Sequence, residues 1–388
     1  MKISILSPDL SNNCLGRAYL LAKILKRRYQ IEIVGPIFGE GIWEPVANDK
    51  GIKYKSVKLS GRFKPYRQIS ELIKQIDGDV IYASKPLFTS FGIGMLRKLK
   101  RKKTLILDID DWQMGIIKEK YKNKSFTQYL KLFISSAIRF YSMNSYWNNL
   151  ISEKLISFAD EITVSNNFLK KKFNATIVWH GRDTNDFNPQ KYDKNLLKEK
   201  YKIEGTKKIV MFIGTPRPHK GIDDLINAIN ILKNKEVVLS IIGITSKDKF
   251  CEKILKHAKK LLGNRFLVFG IQPFDKIPQF LAMADVVVIP QKKNLATIGQ
   301  IPAKLFDAMA MAKAIIATDV SDIPEILDGC GWVVEPENPE KLADAIKYVF
   351  DHPLEAETMG QKARDKCIDR YSWEAMEKVL INIFKKYE

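Results

Sequence analysis

Short apolar runs alternate with amphipathic stretches of helical period along this sequence, and the series occurs twice. Runs at 2–6, 31–34, 79–83 and 104–108 have the length and aliphatic content of buried strands, and 54–58 is a further candidate strand. Stretches at 16–28, 66–76 and 90–100 carry apolar residues at three- and four-residue spacing, which predicts helices. Strands this apolar have no polar face to offer water, so they belong in a parallel sheet covered by helices on both sides. Candidate strands at 160–164 and 176–179 extend the series. A second series follows the polar stretch 182–205, with strands at 208–213, 237–242, 266–269, 285–289, 314–318 and 331–334. Its helices are expected at 222–233, 247–262, 275–283, 301–311, 339–350 and 353–371. A last helix at 373–386 has no strand after it and is expected to pack back on the first domain. At roughly 100–200 residues per domain, the 388 residues suit two. The expected fold is α/β, with two doubly wound Rossmann-like domains facing across a cleft. They are residues 1–182, joined by 373–388, and residues 183–372.

Several classes are excluded. A hydrophobic share of 45% and a charged share of 28% do not suit a disordered chain. Cys14, Cys251, Cys330 and Cys367 form no CxxC pair, which argues against a disulfide scaffold or a cysteine zinc site. The four histidines, His180, His219, His257 and His352, show no HExxH spacing, so no metal is expected. No run reaches the roughly 18 apolar residues of a membrane span. The first residues lack the basic start and apolar core of a secretion signal, so a cytoplasmic location is expected. The net charge of +20 is uneven. Residues 1–182 hold 32 of the 64 Lys and Arg but 15 of the 44 Asp and Glu, giving +17 there and +3 in the rest. A one-sided basic field attracts phosphorylated substrates, anionic lipid or nucleic acid.

In open α/β sheets ligands bind beyond the carboxyl ends of strands, so the loops there carry the functional argument. One is in KIVMFIGTPRPHKGIDDLINAI at 208–229. The strand ends at Gly214, which admits a close ligand, and Thr215 follows. Arg217 and Lys220 bring two positive charges to a helix N-terminus opened by Gly221, an anion site in the making. A plainer reading is a basic surface loop capping a helix. Neither G-x-x-x-x-G-K-S/T nor G-x-G-x-x-G is present there. The second loop is in DVVVIPQKKNLATIGQIPAKLFDAMAMAKAIIATD at 285–319. Gly299 and Gln300 offer amides before a helix entered at Ile301 and Pro302. Lys304 and Asp307 are three apart and share a face, where the carboxylate can bind vicinal hydroxyls such as those of a ribose.

These two segments resemble the donor-binding motifs of family 4 retaining glycosyltransferases, which have the GT-B fold. The segments VWHGRDTNDFNP at 178–189, ADEITVSNNFL at 159–169 and YSWE at 371–374 resemble further motifs of that family, in the right order. The resemblance covers most of residues 160–388. It implies a glycosyltransferase that moves a hexose-type sugar from a nucleotide diphosphate sugar to a glycan or lipid-linked acceptor, without a metal. In the family an Arg and a Lys-Gly grip the diphosphate, and the acidic helix of type P-x-K-L-F-D/E-A-M-A holds the ribose. Carried over, Arg217 and Lys220 neutralise the leaving diphosphate, Asp307 positions the ribose, and the loop at 270–273 frames the base. Gly16 with Arg17 would lie under the diphosphate. Gly299 stands where many members carry a first glutamate, and Thr215 where an arginine often sits. Relatives often place a histidine near the strand end at 105–113, where this chain has Asp108, Asp110 and Asp111. Asp111 is assigned to catalysis, and Lys85 and Asp110 to the acceptor. An N-cap and loop is the plainer account of Asp110 and Asp111.

Residues 126–158 are rich in aromatics and follow lysine clusters, which reads equally as an interfacial helix on anionic lipid or as a helical excursion packed on the first domain. Two further classes compete with this reading, a nucleotide-sugar 2-epimerase of the same fold and a basic nucleic-acid-binding protein. The first needs carboxylates and histidines that find no place here. The second needs an RNP-like pattern that is absent, so no nucleic-acid partner is expected.

Overall fold

The structure, a computed structural model, describes residues 1–59, 65–245 and 248–388. Lys247, where the sequence places the start of a helix, lies outside them; the described helix is Lys249–Leu262. The chain divides into two compact units. Unit 1 comprises residues 1–180, 298–300 and 376–388, and unit 2 comprises 181–297 and 301–375. Each is a parallel-sheet, Rossmann-like α/β domain.

In unit 1 the strands are β1 (Lys2–Leu6), β2 (Gln30–Ile37), β3 (Lys53–Lys58), β4 (Val80–Ser84), β5 (Thr104–Ile109), β6 (Glu161–Val164) and β7 (Thr176–Ile177). Their order is β3-β2-β1-β4-β5-β6-β7, all parallel. The middle strands are the apolar ones, and β4 is buried along its whole length. Leu6, Ile81, Leu105 and Leu107 of the sheet pack with Leu72 and Phe91 from the covering elements. Each such fully buried side chain stabilises by about 1.5–3 kcal/mol. Phe384, near the end of helix Trp373–Phe384, is fully buried in this unit and meets Tyr82 edge-on at 5.4 Å. The aromatic segment after residue 125 forms two helices, Phe126–Ile138 and Tyr146–Lys154. Phe133 joins them through Tyr146 at 4.8 Å and Trp147 at 5.5 Å.

Unit 2 contains β8 (Lys208–Ile213), β9 (Val237–Ile244), β10 (Phe266–Gly270), β11 (Val286–Ile289), β12 (Ala314–Thr318) and β13 (Trp332–Val334), in the order β10-β9-β8-β11-β12-β13. Helix Ala303–Ala310 starts two residues later than the sequence suggests, because Pro302 is extended at φ −69° and ψ 121° and serves as its N-cap.

Both sheets reverse direction of growth once, between β1 and β4 in unit 1 and between β8 and β11 in unit 2. Chains leaving the two central strands turn to opposite sides, which opens a crevice at the strand ends. β8 and β11 pair only at Val210 with Val286 and Met211 with Val287, so both strands continue beyond their last paired residues.

Candidate functional site

The loops after β8 and β11, picked out by sequence, border the crevice of unit 2. Gly214 ends β8 with φ +120°, a conformation that L side chains rarely adopt. Its N–H donates to Ile242 at 2.8 Å, which fixes the turn to β9. A side chain at this position would also collide with a cation: its Cβ would sit 2.5 Å from Lys304 Nζ. The same point is 3.8 Å from Lys220 Nζ. Two ammonium groups therefore converge on one bare stretch of backbone.

Each is held there. Lys220 Nζ donates to the carbonyl of Thr215 at 2.7 Å, and Lys220 ends the short turn Pro218–Lys220. Gly221 then takes φ +62° to start helix Ile222–Leu232, and a Cβ there would overlap the carbonyl of Pro290 at the end of β11. The Lys292 N–H donates to His219 at 3.0 Å and its Nζ to Asp223 at 2.9 Å, which ties the second loop to the first. Lys304, on helix Ala303–Ala310, lies over the ring of Phe212 at 4.5 Å. Burial and then the charge of Lys220 hold its ammonium well below the ordinary lysine range. An anion placed beside Gly214 would relieve both costs.

Arg217 is not part of that convergence. Its guanidinium is ion-paired with Asp248 and is 41% exposed. The carboxylate of Asp248, also fixed by the Cys251 and Phe250 N–H groups, lies below its ordinary range, with the Cys251 bond the leading cause. Asp307 likewise differs from the expectation of an open ribose ligand. It is buried and accepts from Arg182 Nε, while Arg182 Nη1 and Nη2 donate to Gly181 at 3.0 Å and Ala303 at 3.2 Å. Lys304 and Asp307 do share a helix, but one reaches Gly214 and the other Arg182. Ile301 is buried just before that helix. Arg182 was missed by sequence reasoning, although it stands inside the quoted HGRD segment; a lone Arg gives no sign of its partner 125 residues away.

In unit 1 the strand-end residues form a second cluster. Lys85, directly after β4, has φ +68° and donates its N–H to Asp108 at 2.7 Å. Its Nζ bonds Asp110 at 2.5 Å and Asp111 at 2.6 Å. Burial opposes this charge, but the two carboxylates outweigh it and hold Lys85 above its usual range. Burial, with repulsion from Asp111 and Asp108, pushes the Asp110 carboxyl up to about 6 against the pull of Lys85. Lys85 is thus already matched by two carboxylates, and in this state it positions them. Gln300 Nε2 donates to Asp111 at 2.7 Å and the Trp112 N–H donates to Gly299 at 3.1 Å. Both residues, expected to offer amides to a donor, are grouped with unit 1. A Cβ on Gly299 would lie 2.6 Å from that of Trp112.

Gly16 stands in the first turn of helix Leu15–Leu25 against the ring of Trp43. Its neighbour Arg17 is not turned to a ligand. It is fully paired with Asp108, through Nε at 2.9 Å and Nη2 at 2.8 Å, and bonds Val178 at 2.7 Å. Asp108 also accepts from Thr163 at 2.8 Å, so the Asp-Ile-Asp triplet is a buried salt-bridge node. Among the described residues no group of three or more His, Cys, Asp or Glu is placed to hold a metal ion.

Residues 193–366, which include the β8 and β11 loops, match the profile described as Glycosyl transferases group 1. The match takes in less than half of the chain. The chain is 26% identical over 223 residues to the alpha-maltose-1-phosphate synthase of Mycolicibacterium smegmatis, covering 54% of this chain and 56% of that protein. It is 24% identical over 349 residues to an uncharacterised glycosyltransferase of Methanocaldococcus jannaschii, covering 87% and 86%. The chain spans about half the length of the first curated relatives it matches, 49–56%. Among solved structures, Anabaena HepE in complex with UDP-glucose superposes with a TM-score of 0.77 at 17% identity, covering all of both chains. That likeness gives the whole chain a GT-B fold.

Proposed function

We propose that this protein transfers a hexose-type sugar from a nucleoside diphosphate sugar to a glycan or lipid-linked acceptor, with retention of configuration and without a resident metal. The observation that carries the reading is the convergence of Lys220 and Lys304 on Gly214 at the reversal point of a group 1 glycosyltransferase sheet. A diphosphate seated there meets two ammonium groups and the N-terminus of helix Ile222–Leu232. As the glycosidic bond breaks, negative charge grows on the leaving diphosphate, and preorganised cations stabilise that charge more than the ground state. We assign this work to Lys220 and Lys304. Arg217, held by Asp248, is assigned an outer role, reaching the donor by exchanging that partner.

Asp307 is assigned to the ribose, with Arg182 fixing the orientation of its carboxylate. Gly16, Thr215, Gly299, Gln300 and Ile301 are assigned to donor binding. Asp111, fixed between Lys85 and Gln300, orients the acceptor hydroxyl, and Asp110 completes that cluster. Same-face attack then lets the leaving phosphate take the hydroxyl proton, so no side-chain nucleophile is required.

UDP is the first nucleotide to try, since the HepE structure holds UDP-glucose. The test is thermal stability of the purified protein with UDP, GDP, ADP, dTDP and CDP, with magnesium or with EDTA. A ligand at a hundred times its Kd stabilises by about 2.7 kcal/mol. A metal-independent shift with one nucleotide, lost in Lys304→Ala, supports the reading. No shift with any of them overturns it.

A further inference from the structure

Helix Phe126–Ile138 carries an outward apolar face that neither the sheet nor the neighbouring helix covers. Phe126, Leu130, Ile134 and Ile138 are 82%, 50%, 56% and 72% exposed. They recur every four residues, so each is turned about 40° from the last and together they form one band about 120° wide. The helix is not a loose excursion. Ser125 and Gln128 cap its start reciprocally. The Tyr146 N–H donates to Ser136 at 3.0 Å, and Trp147 Nε1 donates to Phe133 at 3.1 Å. The inner face is seated, and the outer one is presented.

The charges around the band are of one sign. Residues 120–152 contain Lys120, Lys122, Lys124, Lys131 and Arg139, all exposed, and no Asp or Glu. An apolar band rimmed by cations suits the boundary of an anionic bilayer, where rings and aliphatic chains enter the acyl region and ammonium groups stay at the phosphates. A second copy of this face would bring the same five cations against themselves, which disfavours a dimer here. We propose that helix Phe126–Ile138 docks unit 1 on an anionic lipid surface. This inference rests on exposure and charge alone and stands apart from the sugar-transfer reading.

The experiment is flotation of the full-length chain with phosphatidylcholine vesicles and with equimolar phosphatidylcholine and phosphatidylglycerol vesicles, at low and high salt. One variant carries Phe126→Ser, Leu130→Ser, Ile134→Ser and Ile138→Ser. A second carries Lys122→Ser, Lys124→Ser and Lys131→Ser. All seven side chains are exposed, and circular dichroism melts check that both variants fold. The wild type should bind the anionic vesicles, more weakly at high salt, with about fivefold lost per cation removed. The apolar variant should lose at least about tenfold. Absence of wild-type binding, or equal binding by the apolar variant, would overturn the proposal. So would self-association in light scattering that only the apolar variant abolishes, since the face would then join copies of the chain.

Discussion

Burial and the charge of Lys220 disfavour the Lys304 ammonium, Asp307 offsets part of that, and an anion beside Gly214 would relieve more of it. Steady-state kinetics with the donor found by thermal shift should therefore show a fall in kcat/KM of about 10²–10³ for Lys220→Ala and for Lys304→Ala. Arg217→Ala should cost less than about tenfold, because its guanidinium is balanced by Asp248. Equal losses in all three would return Arg217 to the centre of the site. The buried cluster of unit 1 makes a separate prediction. The Asp110 carboxyl titrates at about 6, above its ordinary 3.8, so the folded chain holds that proton more tightly than the unfolded one. Its contribution to stability is full below about pH 4 and declines as pH rises toward 6, by on the order of 2–3 kcal/mol. Urea midpoints across this range should show a shallower change in Asp110→Asn; an identical slope would contradict the assignment. Glycine at position 85 would relax the left-handed backbone but leave Asp110 and Asp111 facing each other without Lys85 Nζ.

Among the elements, the turn from β8 into helix Ile222–Leu232 is the most constrained. Gly221→Ala would place a Cβ on the Pro290 carbonyl at a φ of +62°, and neither backbone can yield cheaply. We expect a loss of about 2 kcal/mol or more in urea unfolding, together with weaker nucleotide binding. Retention of full stability would mean that the turn has another conformation. The strands of both sheets, and most of their helices, were legible in the sequence, because buried parallel strands announce themselves as short aliphatic runs. The loops were legible as loops, and Gly214, Lys220 and Lys304, drawn from both of them, lie together in the structure. What stayed hidden were pairings: Arg17 with Asp108, Arg182 with Asp307, Arg217 with Asp248. Charge–charge pairing across 31 to 125 residues leaves no local pattern, so a residue read as a ligand contact can prove to be occupied. The segment 126–158 was ambiguous for a related reason. Its aromatics serve both an inner face and an outer one, and composition does not separate them.

At the scale of the molecule, unit 1 depends on chain from the far end of the sequence. Phe384 fills a site beside Tyr82 and Tyr29, and Glu388 accepts from the Tyr29 hydroxyl at 2.7 Å. A fragment ending at residue 180 lacks these groups. It should expose that apolar seat, bind a hydrophobic dye and unfold with poor cooperativity, whereas Phe384→Ala in the whole chain should cost about 3–5 kcal/mol. A fragment as cooperative as the intact protein would refute this dependence.

Residues 298–300 have a different consequence. They are three residues of unit 1 embedded in the sequence of unit 2, and Gln300 and Gly299 bond Asp111 and Trp112. A gene chimera that exchanges the second half of this protein for that of a relative would import a foreign tripeptide into the acidic corner of the first half. The halves are therefore not free modules in evolution: Asp111, Trp112, Gly299 and Gln300 form one heritable unit, split across the gene, and are expected to change together or not at all.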